Sequence, residues 1–220
     1  MLVRDIMRSP ALAVSPDTAL GEAYRLMREK GIRHLPVLDQ DRLIGVVTDR
    51  DLRLATSTLV PEPFPPGSRV GAVMSRSPVT ADPGDPVEDA ARRMREGKIG
   101  CLPVLENGRV VGIITGIDLL DALLALTGVN KPSGRLEVSL PDRPGELSRL
   151  TSFLDHRDLA VHSILMYPEG RDTLRAVLRV GSMDEPSRFA PVMTIWTESA
   201  PEWACIDPDL PTAPHQPPPA

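Results

Sequence analysis

Two short stretches of this chain carry residue types able to hold a small molecule: Gly45-Val46-Val47-Thr48-Asp49-Arg50-Asp51 and Gly112-Ile113-Ile114-Thr115-Gly116-Ile117-Asp118. In each, an apolar run of strand character ends in Thr-x-x-Asp, the pattern of a helix start. Two chemistries fit that spacing. The threonine can accept the third helical N–H while the acid reaches back to the threonine backbone, a capping box that serves only the helix end. The same geometry also points free N–H groups and a positive dipole end at an incoming anion, and a carboxylate beside them can accept both hydroxyls of a ribose. The residues alone leave both open.

The two stretches are related by an internal repeat. Val3–Ala55 aligns on Val70–Ala122 without a gap, pairing Met7 with Met74, Pro16 with Pro83, Leu35-Pro36-Val37-Leu38 with Leu102-Pro103-Val104-Leu105, and Gly45 with Gly112. A solenoid needs three or more copies, so two copies imply a paired module. Each copy reads as strand, helix, hairpin, helix. In the second, Asp85-Pro86-Val87-Glu88 supplies an N-cap acid, a proline at the first helical position and a glutamate three beyond the cap. In the first, Leu20, Ala23, Leu26 and Met27 make one apolar face, and Gly31 stands where a left-handed residue would end the helix. Ile32–Leu38 and Leu43–Thr48 flank a polar turn, matched in the second copy by Asn107-Gly108, a dipeptide suited to a tight hairpin. Both strands are nearly all apolar and need cover on both faces. Two helices in so small a unit cover one, so the copies should pack against each other.

The copies differ in charge. Arg33, His34, Arg50 and Arg53 of the first stand where the second has Gly100, Cys101, Ile117 and Leu120, so unequal sites are expected. Composition bounds the partners. The 220 residues are 41% hydrophobic and 25% charged with net charge −5, and arginines are interleaved with acids rather than clustered, which argues against nucleic acid as a main partner. No apolar run approaches the length of a membrane span and the opening lacks a signal-peptide core, so the expectation is a cytoplasmic protein without membrane association. Cys101 and Cys205 form neither a metal spacing nor a disulfide framework.

The Leu-Pro-Val strand together with the Gly-h-h-Thr-x-x-Asp ending, h being apolar, resembles the cystathionine-β-synthase (CBS) domain, which occurs in tandem as a Bateman module. The likeness covers about residues 1–125. It implies CBS domains at 1–58 and 68–127, joined by a proline-rich linker at 59–67, with two clefts that each take an adenosine-containing ligand. On that likeness Asp51 and Asp118 would hold ribose hydroxyls, Thr48 and Thr115 would sit by ribose or phosphate, and backbone around Ala13 and Thr80 would flank the adenine. Arg33, His34 and Arg50 would offer phosphate contacts, and Pro36 and Pro103 would line the clefts. AMP, ADP, ATP or S-adenosylmethionine would be the ligand, with Mg²⁺ able to accompany it.

Beyond a linker at 128–134 the pattern changes. Leu136, Val138 and Leu140 alternate with polar residues, Pro141-Asp142-Arg143-Pro144-Gly145 turns the chain, and Leu147, Leu150, Phe153 and Leu154 mark a helix face. Leu159–Tyr167 and Thr173–Val180 read as strands, Asp184–Val192 as a short helix and Met193–Thr197 as a last strand. Asp-x-Pro-Gly-x-Leu at the first strand-to-helix turn resembles the ACT domain, a ferredoxin-like βαββαβ unit placed at 135–199, and implies an amino acid held by Asp142, Gly145, Glu146 and Leu147. A proline-rich tail at 200–220, expected to lack fixed structure apart from Trp203, closes an α+β chain. Two CBS domains followed by an ACT domain is similar to the acetoin-utilisation AcuB-type proteins. No Gly-x-Ser-x-Gly, His-Glu-x-x-His, P-loop or dinucleotide fingerprint occurs, so the chain reads as a non-enzyme. The leading expectation is a homodimeric adenine-nucleotide sensor acting on a protein target. The alternative is an interaction scaffold with vestigial clefts.

Overall fold

The computed structural model describes residues 1–181, together with 194–195 and 212–213. The chain divides into two units, Met1–Asn130 and Lys131–Ala220. In the first unit each repeat is built on a hairpin with a helix on either side in sequence. The first repeat runs α1 (Val3–Ile6), α2 (Leu20–Lys30), β1 (His34–Asp39), β2 (Arg42–Thr48) and α3 (Asp49–Ala55). The second begins with a 3-10 turn at Val70–Ala72 and continues as β3 (Ser75–Arg76), α4 (Val87–Gly97), β4 (Cys101–Glu106), β5 (Arg109–Thr115) and α5 (Gly116–Leu126).

The local signals explain most of these elements. Leu20, Ala23 and Met27 of α2 are buried, as are Val87, Ala90 and Met94 of α4, at the same i, i+3, i+7 spacing. Gly31 ends α2 in the left-handed region at φ 64°, and Lys98 does so for α4 at φ 50°. Both hairpin turns place two successive residues at positive φ, Gln40 and Asp41 in one and Asn107 and Gly108 in the other. At α4 the expected cap is displaced: Pro86 is the N-cap, and the Asp85 carboxylate accepts instead from the Asp82 N–H at 3.0 Å and pairs with Arg93 at 2.7 Å.

The opening of each copy does not form the expected strand on its own hairpin. After a helical turn, Arg8 bridges Ile113 of the other copy's hairpin and β3 pairs with β2 of the first, and only then does an extended segment meet its own hairpin at one residue, Val14 beside Val37 and Ala81 beside Val104. Val14 donates to the Pro36 carbonyl and accepts from Leu38. The next step of a parallel ladder would need an N–H from Pro36, which proline lacks, and Pro103 stops its counterpart in the same way.

The two cores exchange their first residues. Val3, Ile6 and Met7 pack with Ala81, Ala90, Met94, Leu102, Val104 and Ile114 of the second repeat. Val70, Val73 and Met74 pack with Leu20, Met27, Leu35, Val37 and Leu52 of the first. Gly45 and Gly112 permit the crossing: a Cβ on Gly45 would lie 2.7 Å from Met74 Sδ and 2.8 Å from the Ser75 carbonyl, and one on Gly112 would lie 2.8 Å from Met7 Sδ and 2.9 Å from the Arg8 carbonyl. The remaining strand faces meet each other, as the apolar strands required, through Val46, Cys101 and Ile113 with Ala11 against them. The proline-rich connector is tied down as well. Pro66 and Ser68 carbonyls accept from the Gly21 and Leu20 N–H groups, closing the start of α2, whose Ala19 cap offers no side chain.

In the second unit β6 (Ser133–Pro141), α6 (Glu146–Asp155), β7 (Val161–Pro168) and β8 (Thr173–Gly181) form an antiparallel sheet of order β6-β8-β7 with one helix. Central β8 buries Ala176, Leu178 and Val180 against Leu140 and Leu154. Of the expected helix face, Leu150 and Leu154 pack inward, whereas Leu147 and Phe153 are exposed and Phe153 lies under the Arg157 guanidinium at 3.6 Å. The helix expected at 184–192 and Trp203 lie outside the described residues. Within the expected last strand, Thr194–Ile195 (β9) pairs in parallel with Thr212–Ala213 (β10), which falls in the expected tail.

Candidate functional site

The candidate site is built at the ends of β2 and β5, where each strand turns into a helix. Thr48 and Thr115 are the N-caps of α3 and α5 and keep extended backbone, and the first helical N–H groups find acceptors outside the helix, Asp49 giving its N–H to the Arg33 carbonyl at 3.0 Å and Gly116 to the Gly100 carbonyl at 3.1 Å. The Asp51 Oδ2 accepts from the Thr48 N–H at 2.9 Å and the Thr48 hydroxyl at 2.8 Å, and the Asp51 N–H donates to that hydroxyl at 3.2 Å. Asp118 repeats the arrangement, taking the Thr115 N–H at 2.8 Å and its hydroxyl at 2.6 Å. Both capping boxes are therefore formed. Each uses one oxygen of its carboxylate.

The second oxygens differ. Asp118 is 5% exposed, and its Oδ1 accepts from the Arg8 Nε at 3.2 Å. Asp51 is half-buried, and its Oδ1 has no protein hydrogen bond among the described residues. Arg8 was not a candidate in the sequence, although the repeat alignment pairs it with Ser75 and so marks the two ends as unlike.

Around Asp51 the structure gathers residues of both repeats. His34 opens β1 opposite Thr48 in register, and its Nε2 lies so close to Gly100 that a Cβ there would come within 2.7 Å. Burial and then the Arg33 charge hold the imidazole pKa below its ordinary 6.5, opposed by Asp49 and Asp51. The neighbouring Cys101 thiol is pushed up to about 12, first by burial and then by the Asp51 charge, so it stays protonated. Pro36 and Pro103 are buried in their strands, and Ala13 and Thr80 are half-buried on the segments that run past them. The Thr80 carbonyl accepts from Arg93 at 3.0 Å.

The remaining arginines disperse. Arg50 is exposed. Arg53 is tied to Asp49 at 3.1 Å and, with Arg33, Arg28, Tyr24 and Ile32, lines a cavity of about 300 Å³ beside α2 and α3. Asp49 and Asp51 stand two residues apart at the start of α3, about 200° around the helix, so that cavity and the Asp51 carboxylate fall on different sides of it. In the second unit Gly145 is the N-cap of α6 at φ 93° and Asp142 is exposed, its N–H given to the Asp172 carbonyl. The Glu146 carboxylate is taken by Arg143 at 2.7 Å and by Arg149, and the Arg143 hydrogen bond holds its pKa below the ordinary carboxylate range. Leu147 beside it is exposed. Among the described residues no group of three or more His, Cys, Asp or Glu could hold a metal, and no helix is long and apolar enough to cross a membrane.

The model of the CBS domain matches residues 3–57 and 70–125, one match on each repeat. The chain belongs to the CBS-domain family. A CBS domain-containing protein of Dictyostelium discoideum is 38% identical over 137 residues, which are 56% of this chain and 92% of that protein. The inosine-5'-monophosphate dehydrogenase of Korarchaeum cryptofilum is 31% identical over 74% of this chain, but only 32% of its own length is covered, so its activity belongs largely to sequence this chain does not match. Among solved structures, a CBS domain pair in complex with 5-methylthioadenosine and S-adenosyl-L-methionine is 28% identical with a TM-score of 0.52, covering 60% of this chain and 98% of that one. A protein assigned to acetoin utilization (AcuB) from Vibrio cholerae is 31% identical with a TM-score of 0.50, again covering 60% and 98%. The CBS pair therefore accounts for the first unit, and its fold is the mixed α/β one that the repeat implied.

Proposed function

We propose that this chain is a regulatory, non-catalytic sensor whose CBS pair takes an adenosine-containing ligand in the clefts at the ends of β2 and β5. One observation carries the reading: at the start of α3, Asp51 keeps one carboxylate oxygen with no protein hydrogen bond among the described residues, where a sugar hydroxyl can donate. The similar CBS pair solved with 5-methylthioadenosine and S-adenosyl-L-methionine supports that ligand class. In this reading Thr48 with Asp51 and Thr115 with Asp118 face the ribose, Ala13, Pro36, Thr80 and Pro103 flank the base, and Arg33, His34 and Arg50 meet phosphate when the ligand has one, with Mg²⁺ as an optional companion. The CBS domains then occupy 1–58 and 68–127.

The order β6-β8-β7 with a helix after the first strand is that of the first three strands of a ferredoxin-like unit, which supports an ACT domain at 135–199. The Arg-bound Glu146 leaves Asp142 as the free acid for an amino group there. The likeness to AcuB supports a link to acetoin utilisation. The chain acts as a homodimer, and α5 supplies a face for it: Ile117, Leu120 and Leu124 are exposed along one side of that helix.

Thermal melting of the full chain tests the sensor reading. AMP, ADP, ATP, S-adenosylmethionine or 5′-methylthioadenosine at 100 times its dissociation constant should stabilise the first unit by about 2.7 kcal/mol. No shift with any of them, and no calorimetric heat, rejects it in favour of a scaffold. The scaffold reading has its own support in the capping boxes, which give both aspartates a local task.

A further inference from the structure

We infer that Arg8 closes the Asp118 cleft, so that each chain offers one adenosine site, at Asp51, and not two. The inference rests on the sensor reading above and adds the number of sites and the residue that sets it. Reciprocal backbone bonds to Ile113, 2.9 Å and 3.0 Å, fix Arg8 beside β5, two residues before Thr115. From there its Nε reaches the Asp118 Oδ1, and with Thr115 holding Oδ2 both oxygens of that carboxylate have donors. The Asp118 side chain is 6% exposed while that of Arg8 is 65% exposed, so the guanidinium lies on the solvent side of the acid. A ribose diol reaches Asp118 only by displacing it. The mate of Arg8 in the repeat is Ser75, held against Val46 of β2 in the same relation. Serine is too short to span to Asp51, and the next residue, Arg76, gives its guanidinium to the Gly71 carbonyl at 3.3 Å. One sequence difference between symmetric positions thus leaves one acid free and the other occupied.

Calorimetric titration of the full chain with 5′-methylthioadenosine, which brings no phosphate to attract Arg8, reads the site count. One site per chain is expected in the parent, none in Asp51→Asn, two in Arg8→Ser, and one again in Asp51→Asn combined with Arg8→Ser. Ser75→Arg, an exposed change that adds a second plug at the Asp51 cleft while Arg8 still holds Asp118, should weaken binding at least tenfold, and circular dichroism confirms that each variant is folded. Two sites in the parent, or an unchanged single site in folded Arg8→Ser, overturns the inference and leaves the sensor reading standing. Absence of binding in the parent and in folded Arg8→Ser, with AMP and ATP as well, overturns both.

Discussion

His34 is a titratable group at a contact between the two repeats, its ring edge set against Gly100. Its pKa lies below the ordinary 6.5 because burial and Arg33 disfavour the cation more than Asp49 and Asp51 favour it. In the unfolded chain it titrates near the ordinary value. As the pH falls through that value the unfolded chain takes up a proton that the folded chain still refuses, so unfolding becomes easier, and the loss levels off once the pH is below the folded pKa. Urea titrations between pH 7.5 and about pH 5 should therefore show a decline that His34→Asn flattens relative to the parent. An identical slope in both proteins would refute the assignment. The histidine was legible in the sequence as a candidate, but its setting was not. Only the register of β1 with β2 and the absence of a side chain at position 100 decide what it packs against.

At the level of elements, the exchange of opening segments makes a clear demand. Val3 is fully buried among residues of the second repeat, some 80 to 110 positions along the chain, and its N–H donates to the Asp85 carbonyl at 2.9 Å. Val3→Ala should cost about 2 kcal/mol, with amide exchange quickening in β4 and β5 ahead of β1 and β2. Preferential loss of protection in the first repeat would contradict the packing. The sequence carried the hairpins, the helix faces and the left-handed stop at Gly31, because these depend on residues close together in the chain. It did not carry the exchange, since Val3 aligns with Val70 whichever core each enters. Nor did it place the cap of α2, where Pro66 and Ser68 carbonyls far along the chain take the free N–H groups. The Thr-x-x-Asp boxes were legible as both cap and ribose acceptor. Only the partner of the second oxygen separates the two uses, and for Asp118 that partner, Arg8, is 110 residues away.

For the molecule as a whole, α5 poses the remaining question. Its sequence Gly-Ile-Asp-Leu-Leu-Asp-Ala-Leu-Leu-Ala-Leu buries Asp118 and Ala122 and leaves Ile117, Leu120, Leu123, Leu124 and Leu126 more than two-fifths exposed. α3, its counterpart, carries Arg50 and Arg53 where α5 has Ile117 and Leu120, so the corresponding face of α3 is charged where that of α5 is apolar. A stripe of this kind on a single chain favours association, and covering the exposed half of each of these leucines contributes about 1 kcal/mol. Leu120→Glu places a charge at the middle of that stripe without touching a buried residue, so the fold should persist while association fails. Sedimentation equilibrium at micromolar concentration should give twice the chain mass for the parent and the single mass, with unchanged circular dichroism, for Leu120→Glu. A parent that sediments as a single chain would remove the dimer from the proposal, while a variant that still sediments at twice the mass would move its interface away from α5.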